Sequence, residues 1–195
     1  MRRSRIIPLG IALLYGLFWR WYSGTGKPLT PHEIDTHLES LRSRGASADV
    51  LRRLRGFLEA DTGRGFVMVN LIRLHEGDQS AAAFGRYNRA FLPRILRRAS
   101  HPVLVGKAAA EAVEVWGIED GARWSSVGLV RYRSRRDMIE SAADPLFADM
   151  HPDKVAAMSK TIAVPADPWG YAGDPRLLVG LLAVIAALIA VLRKR

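Results

Sequence analysis

The most informative part of the chain is residues 66–74, which read FVMVNLIRL. Apolar side chains fill seven of these nine positions and occur at both odd and even positions. Because successive side chains of a strand point to opposite faces, this pattern predicts a β-strand that is buried on both faces. One face would be lined by Phe66, Met68 and Ile72, and the other by Val67, Val69 and Leu71.

Two helices and three further strands are predicted after this strand. Residues 84–95 carry apolar side chains at helical spacing, and Ser134 is placed to cap a second helix. The order strand, helix, strand, strand, helix, strand predicts an α+β fold, a ferredoxin-like βαββαβ sandwich with its helices on one face of an antiparallel sheet. The further predicted strands are residues 102–106, 124–132 and 161–164, and residues 112–116 either continue the second strand or pair with it as a hairpin.

The second face of such a sheet must also be buried, because the first strand presents apolar side chains on both of its faces. A second copy of the same sheet is the simplest cover for it. The sequence therefore predicts a homodimer.

The C-terminal end predicts a transmembrane helix. Residues 177–192 read LLVGLLAVIAALIAVL, sixteen apolar residues without a charge. At about 1.5 Å per residue they span roughly 24 Å, and Arg176 and the basic residues 193–195 can reach the headgroups to complete a hydrocarbon core of about 30 Å. A buried core helix is the alternative, but such a helix should have a polar face.

The N-terminal end predicts a second membrane helix. Residues 6–19, IIPLGIALLYGLFW, lie between a basic start and Arg20, Trp21 and Tyr22. Bulky aromatic residues beside an arginine favour a retained anchor, with a cleaved signal peptide as the alternative because the apolar run is short. The basic ends predict two spans in the inner or plasma membrane, with both termini cytoplasmic and the central domain on the outer side.

These patterns divide the chain into five segments. Two amphipathic helices are predicted before the first strand, the first of them with a capping box from Thr30 to Glu33. Arg52, Arg53 and Arg55 on the second form either its solvated side or a contact with anionic lipid. The segments are an N-terminal membrane anchor (1–22), a helical linker region (23–62), the ferredoxin-like domain (63–168), a linker (169–176), and the C-terminal transmembrane helix with its basic tail (177–195).

The net charge of +10 does not indicate a nucleic-acid partner. Seven basic residues lie at or near the two ends of the chain, and without them 22 basic residues stand against 19 acidic ones. A nearly balanced centre has no electrostatic footprint for a polyanion. The chain has no cysteine, which excludes disulfides, thiolate metal sites and cysteine nucleophiles.

Four segments together resemble the dimeric α/β-barrel superfamily, in a branch of small proteins of unknown function that is distantly related to antibiotic-biosynthesis monooxygenase and EthD-like domains. The resemblance covers about residues 60–168. It implies a dimer whose two sheets face each other around a barrel, with a pocket between sheet and helices. The segments are DTGRGFVMVNLIRL (61–74), FGRYNRAFLPRI (84–95), WSSVGLVRYRSRRDMIESAADPLF (124–147) and KVAAMSKTIAVP (154–165).

Four residues are candidates for contacts with a small ligand in that pocket. Asn70 interrupts an apolar strand, so its amide either faces a ligand or bonds to neighbouring backbone. Tyr87 lies on an apolar helix stripe and serves either packing or proton transfer. Trp124 and Arg131 flank the third strand, where Arg131 either holds a ligand carboxylate or forms an ion pair.

Histidines provide the remaining candidates for acid–base chemistry. His101 and His151 each precede a proline, which favours extended or turn backbone, and each either points into the pocket or is exposed. Asn70, Tyr87, His101 and His151 are thus the catalytic candidates. His32 and His37 lie on different helix faces, so no metal site is predicted, and no cofactor motif is present.

Three functions remain open from the sequence. The first, which we favour, is a membrane-tethered dimeric module for binding a small apolar ligand or for interaction. The second is a cofactor-independent monooxygenase or isomerase that acts on a small apolar substrate. The third is a structural membrane protein without a pocket.

Overall fold

The computed structural model describes residues 2–145, 149–170 and 173–192. The chain divides into two compact units, a central unit, Gly26–Asp167, and a terminal unit formed by Met1–Thr25 and Pro168–Arg195. The described elements of the central unit are α2 (Pro31–Arg42), α3 (Ala48–Glu59), β1 (Phe66–Leu74), α4 (Asp78–Arg97), β2 (His101–Lys107), β3 (Ser126–Tyr132), α5 (Arg135–Ala143), α6 (His151–Ala157) and β4 (Met158–Ala166), and those of the terminal unit are α1 (Arg2–Ser23) and α7 (Pro175–Leu192).

The four strands form one sheet in the order β2-β3-β1-β4, and every neighbouring pair is antiparallel. The predicted α+β class is confirmed. β1 lies between β3 and β4, so its backbone is hydrogen-bonded to a neighbouring strand along both edges.

Helices cover one face of the sheet. Phe66 on β1 and Tyr132 on β3 stack with ring centroids 5.3 Å apart, and Phe57 of α3 meets Phe66 edge-on at 5.1 Å. Ile95 of α4 completes this cluster and is 1% exposed. We call this side the helix-covered face.

The two helices of residues 23–62 pack against α5. Leu38 of α2, Leu58 of α3 and Ile139 of α5 share one buried cluster. The predicted capping box is confirmed, since Thr30 Oγ1 accepts from Glu33 N–H and the Glu33 carboxylate accepts from Thr30 N–H.

The Ser134 cap is also confirmed, because its hydroxyl accepts from Asp137 N–H at 3.0 Å.

The prediction of a strand or hairpin over residues 112–116 is wrong. These residues belong to a long connection between β2 and β3. Their apolar side chains are exposed rather than paired in the sheet.

In the terminal unit, α1 and α7 lie side by side in opposite directions. The Tyr15 hydroxyl donates to the Arg176 carbonyl at 3.1 Å, and a Cβ on Gly180 would lie 2.8 Å from the same hydroxyl. The Arg176 guanidinium is 5.2 Å from the Trp19 ring centroid and is held by Asp174. The end of α1 therefore adjoins the start of α7.

One described helix is long and apolar enough to cross a membrane. It is α7, with 18 residues, a mean hydropathy of 2.5 and no buried residue. The prediction of a second span over residues 1–22 is not supported, and neither is the predicted topology. α1 is 22 residues long, but it includes Arg20 and the basic residues near its start, which lower its hydropathy.

Candidate functional site

Asn70 lies in the middle of β1, on the helix-covered side of the sheet. Its side-chain nitrogen donates to the carbonyls of Met68 and Gly128, both at 3.0 Å. Both N–H groups of the amide therefore bond to the main chain of the sheet. The carbonyl oxygen of the amide is the group that remains to contact a ligand.

Tyr87 projects from α4 and is 9% exposed. Its ring stacks on Phe91 with centroids 5.4 Å apart. Burial raises the pKa of Tyr87 to about 12, and burial also raises the pKa of Tyr132, with a further electrostatic contribution from Tyr87. Both phenols therefore keep their protons near neutral pH, where they can donate hydrogen bonds but do not act as bases.

Arg131 and His101 lie together on the opposite face of the sheet. They are directly paired in the β2–β3 ladder, and Arg131 is also paired with Val67 of β1. Arg131 is 5% exposed, and its guanidinium donates to the Ala99 carbonyl at 2.6 Å. This contact fixes the arginine to the main chain just before β2.

Trp124 and His151 lie on two other segments, the connection before β3 and α6. The Trp124 indole N–H donates to the Gly121 carbonyl at 2.6 Å, so it stabilises the connection before β3. His151 is the exposed first residue of α6. Among the described residues, no hydrogen bond, ion pair or ring contact links Trp124 or His151 to Asn70 or Tyr87.

The structure does not gather the candidate residues into one cluster. Asn70 and Arg131 lie on opposite faces, because Arg131 pairs with Val67 and Asn70 with Gly128, three positions further along β1. In the described part of the chain, no group of three or more His, Asp or Glu side chains is arranged to hold a metal ion.

A cleft of about 420 Å³ opens between α2 and α3. None of the candidate residues lines it. Its guanidinium groups are paired with carboxylates, since Arg42, Arg52 and Arg55 lie 2.8, 3.1 and 2.7 Å from Glu39, Asp49 and Asp35. The rim of the cleft therefore has little net charge with which to attract an anion. The lining consists of Leu38, Arg42, Ala46, Ala48, Leu51, Arg52 and Arg55.

The second face of the sheet is an apolar surface, which we call the open face. Across the strands, Val69 pairs with Leu129 and Val164, and Leu71 pairs with Val127 and Ile162. Leu104 of β2 extends this row and is 49% exposed, while Val164 is 51% exposed. The open face is formed by Val69, Leu71, Leu104, Val127, Leu129, Ile162 and Val164.

Charged residues bound the open face at two ends. Arg131 lies at one end, and Arg73 and Lys160, which pair across β1 and β4, lie at the other. An apolar centre with a polar rim is typical of surfaces that bind another protein. The apolar side chains at both odd and even positions of residues 66–74 indicated this surface from the sequence. The residues that β2 and β4 add to it follow only from the sheet register.

Comparisons with known proteins support the fold alone. No protein-family model matches the chain, and no curated protein matches it. The crystal structure of the RPA0582 protein of unknown function from Rhodopseudomonas palustris is similar, with 21% sequence identity and a TM-score of 0.52, over 65% of this chain and 96% of that chain. The crystal structure of methylated RPA0582 protein is similar to the same degree, with 21% identity and a TM-score of 0.53 over 66% and 96% of the two chains.

Proposed function

We propose that this protein is a membrane-anchored module that acts as a homodimer of the dimeric α/β-barrel type. The open face is the observation that carries this proposal. It leaves Leu104 on β2 and Val164 on β4 about half exposed, in one row with apolar side chains of β1 and β3. A second copy of the chain offers an identical apolar surface, and a two-fold axis pairs the two surfaces.

The strand order supports this class of fold. The order β2-β3-β1-β4, with all neighbours antiparallel and helices on one face, is the arrangement expected of a ferredoxin-like βαββαβ sheet. Two such sheets, packed about 10 Å apart through their open faces, would enclose the apolar side chains. Relationship to monooxygenase or EthD-like domains, and ligand binding near Asn70, stay predictions.

The terminal unit supports membrane anchoring. From Leu177 to Leu192 every side chain of α7 is apolar, and Leu178, Leu182 and Leu188 are each more than half exposed. On α1, Leu9, Leu13 and Leu17 are also more than half exposed. In the proposed arrangement α7 crosses the bilayer, α1 accompanies it, and the predicted cytoplasmic position of both termini follows from their basic residues.

Aromatic and charged residues at the shared end of these helices suit the headgroup region. Trp19 and Trp21 are 44% and 47% exposed, and Arg176 lies over the rings of Trp19 and Tyr22. Such residues favour the membrane–water boundary.

The dimer is tested with the full chain in lipid nanodiscs or detergent, by substituting the open face. Val164→Lys places a charge in the proposed interface and is expected to give a folded monomer. Val155→Lys is the matched control, since Val155 is 59% exposed on α6, which packs against α4 on the other side of the sheet.

Mass measurement by light scattering or sedimentation distinguishes the outcomes. The proposal expects a dimer for the wild type and for Val155→Lys, and a monomer for Val164→Lys. A wild-type chain that is monomeric at micromolar concentration would contradict the proposal.

A further inference from the structure

The connection between β2 and β3, residues 108–125, is an ordered structure that we call the arm. The Ala112 N–H donates to the Ala122 carbonyl at 2.8 Å, and Arg123 pairs with Glu111 at 3.0 Å. These contacts join the two sides of the arm. A connection of this length that has no helix or strand of its own usually serves a function.

The arm also has a small apolar interior. A Cβ on Gly121 would lie 2.8 Å from Val115 Cγ1 and 3.1 Å from two atoms of the Ile118 side chain. Val115 and Ile118 therefore close around Gly121, where only glycine leaves enough room. The indole of Trp124 holds the same glycine through its carbonyl.

The arm is attached to one end of the open face. Asp120 pairs with Arg73 at 2.7 Å, and Lys160 Nζ donates to the carbonyls of Glu119 and Asp120 at 3.0 and 3.1 Å. Arg73 and Lys160 pair across β1 and β4 at the end of the row that contains Leu71 and Ile162. The arm is thus continuous with the surface assigned to the dimer.

The tip of the arm presents two apolar side chains to solvent. Val113 is 103% exposed and Trp116 is 82% exposed. Tryptophan buries a large area with few rotatable bonds, and it is enriched among the residues that dominate protein interfaces.

The open face alone is small for a stable dimer. Four strands about 4.8 Å apart and about seven residues long present roughly 440 Å² in projection. A specific interface uses about 800 Å² from each partner. Apolar surface next to the sheet would bring the contact closer to this size, and the tip of the arm offers such surface.

The charge of the arm favours a protein partner over a bilayer. Residues 108–125 contain four acidic residues and one basic residue. Anionic lipid surfaces attract basic segments and repel acidic ones. The exposed tip is therefore poorly suited to an anionic membrane, whereas an apolar sheet on a second copy carries no such penalty.

We propose that the arm is a dimerisation element whose Val113 and Trp116 pack on a second copy of this chain, beside that copy's open face. This inference rests on the proposed homodimer. By two-fold symmetry each arm crosses to the other copy, so the two arms together frame the paired sheets.

The experiment compares two exposed tryptophans in the full chain. Trp116→Ala removes the tip of the arm, and Trp169→Ala removes a tryptophan that is 107% exposed outside the arm. Neither side chain is buried, so both variants should keep the wild-type circular dichroism. We expect Trp116→Ala to raise the dimer dissociation constant about tenfold or more, as for a tryptophan that becomes buried at an interface. Trp169→Ala should leave this constant unchanged within about twofold, as an energetically neutral surface residue would.

A second measurement locates the contact. The chain has no cysteine, so Trp116→Cys and Leu104→Cys each introduce a single thiol. When the two variants are mixed and allowed to exchange subunits, a short bifunctional thiol reagent should join Trp116→Cys to Leu104→Cys. Val155→Cys in place of Trp116→Cys should not be joined, because Val155 lies on α6 on the other side of the sheet.

The outcomes separate this inference from the proposed function. If Val164→Lys abolishes the dimer while Trp116→Ala leaves the dissociation constant unchanged, the dimer stands and the role of the arm is overturned. If the wild type is monomeric, the proposed dimer fails first, and the arm inference fails with it.

Discussion

On the helix-covered face of the sheet, Phe66, Ile95 and Tyr132 are 9% exposed or less, whereas on the open face Leu104 and Val164 remain about half exposed. Both faces are apolar in sequence. The helix-covered face is enclosed by α4 and α5 of the same chain, so its burial contributes to folding. The open face would be enclosed only by association, so its burial would contribute to assembly. The difference shows that apolar patterning specifies burial without specifying which molecule supplies the cover.

Removing a large side chain should lower the stability of the monomer strongly on the helix-covered face and weakly on the open face. Phe66→Ala leaves a cavity beside Tyr132 and should cost about 3–5 kcal/mol of unfolding free energy, a fall of roughly 6–20 °C in Tm. Leu104→Ala should change the unfolding of a dissociated monomer by much less, because the side chain is half exposed there. Thermal unfolding by circular dichroism at low protein concentration measures both variants.

Equal losses of stability in the two variants would contradict this comparison. If Leu104→Ala destabilised the dissociated monomer as much as Phe66→Ala, the open face would be covered within one chain.

The helix-covered side also contains a largely buried ion pair between two side chains of the same chain. Asp137 is 4% exposed and accepts two hydrogen bonds from Arg133, at 2.6 and 2.7 Å. This contact raises the pKa of Arg133. Asp137→Asn removes the charge that Arg133 faces, and we expect a loss of about 2 kcal/mol, below the range for fully buried pairs because Arg133 is partly exposed.

The matched control is Asp153→Asn. Asp153 pairs with Arg86 at 2.6 Å, and these two side chains are 30% and 53% exposed, against 6% and 22% for Asp137 and Arg133. Exposed pairs contribute about 0–1 kcal/mol, so this variant should unfold close to the wild type. Equal losses for the two variants would show that burial does not determine the strength of the Arg133–Asp137 pair.

Local patterns account for the parts of the fold that could be predicted from the sequence. The helix caps at Thr30 and Ser134 depend on residues three positions apart, and both form as expected. The apolar run in residues 66–74 identified the central strand and both of its faces. These features need no knowledge of distant contacts.

The remaining features depend on contacts between distant segments. Residues 112–116 have the apolar content of a strand, but Gly117 and Asp120 adopt positive φ values and the chain turns into the arm. The sequence predicts that Asn70 and Arg131 line one pocket, yet the register of β1 against β3 puts them on opposite faces. Neither outcome can be read from local composition.

The smallest expected effect concerns the contact between α2 and α5, on the side of the chain that is covered internally. Hydrogen bonds from Arg136 and from the Thr30 backbone lower the pKa of Glu33 from its usual 4.5 to about 2. Because the folded pKa is depressed, this carboxylate stabilises the fold above pH 4.5, and that stabilisation is lost as the pH falls toward 2. Glu33→Gln preserves the capping box and removes the charge.

The expected loss for Glu33→Gln at neutral pH is below about 1 kcal/mol, because both side chains are partly exposed and solvent screens the pair. The difference between variant and wild type should shrink as the pH falls through the same interval. Thermal unfolding between pH 7 and pH 2 measures it. A difference that is independent of pH would exclude the charge as its cause.

The distance between two copies tests the central claim most directly. Arg89 is exposed on α4, away from the open face, and a nitroxide on Arg89→Cys would be the only label in each chain. For sheets paired about 10 Å apart and flanked by helices, double electron–electron resonance of the full chain in nanodiscs should show one distance of roughly 30–50 Å. Adding Val164→Lys should abolish that distance. A decay without any defined distance in the wild-type background would show that the open face does not bind a second copy.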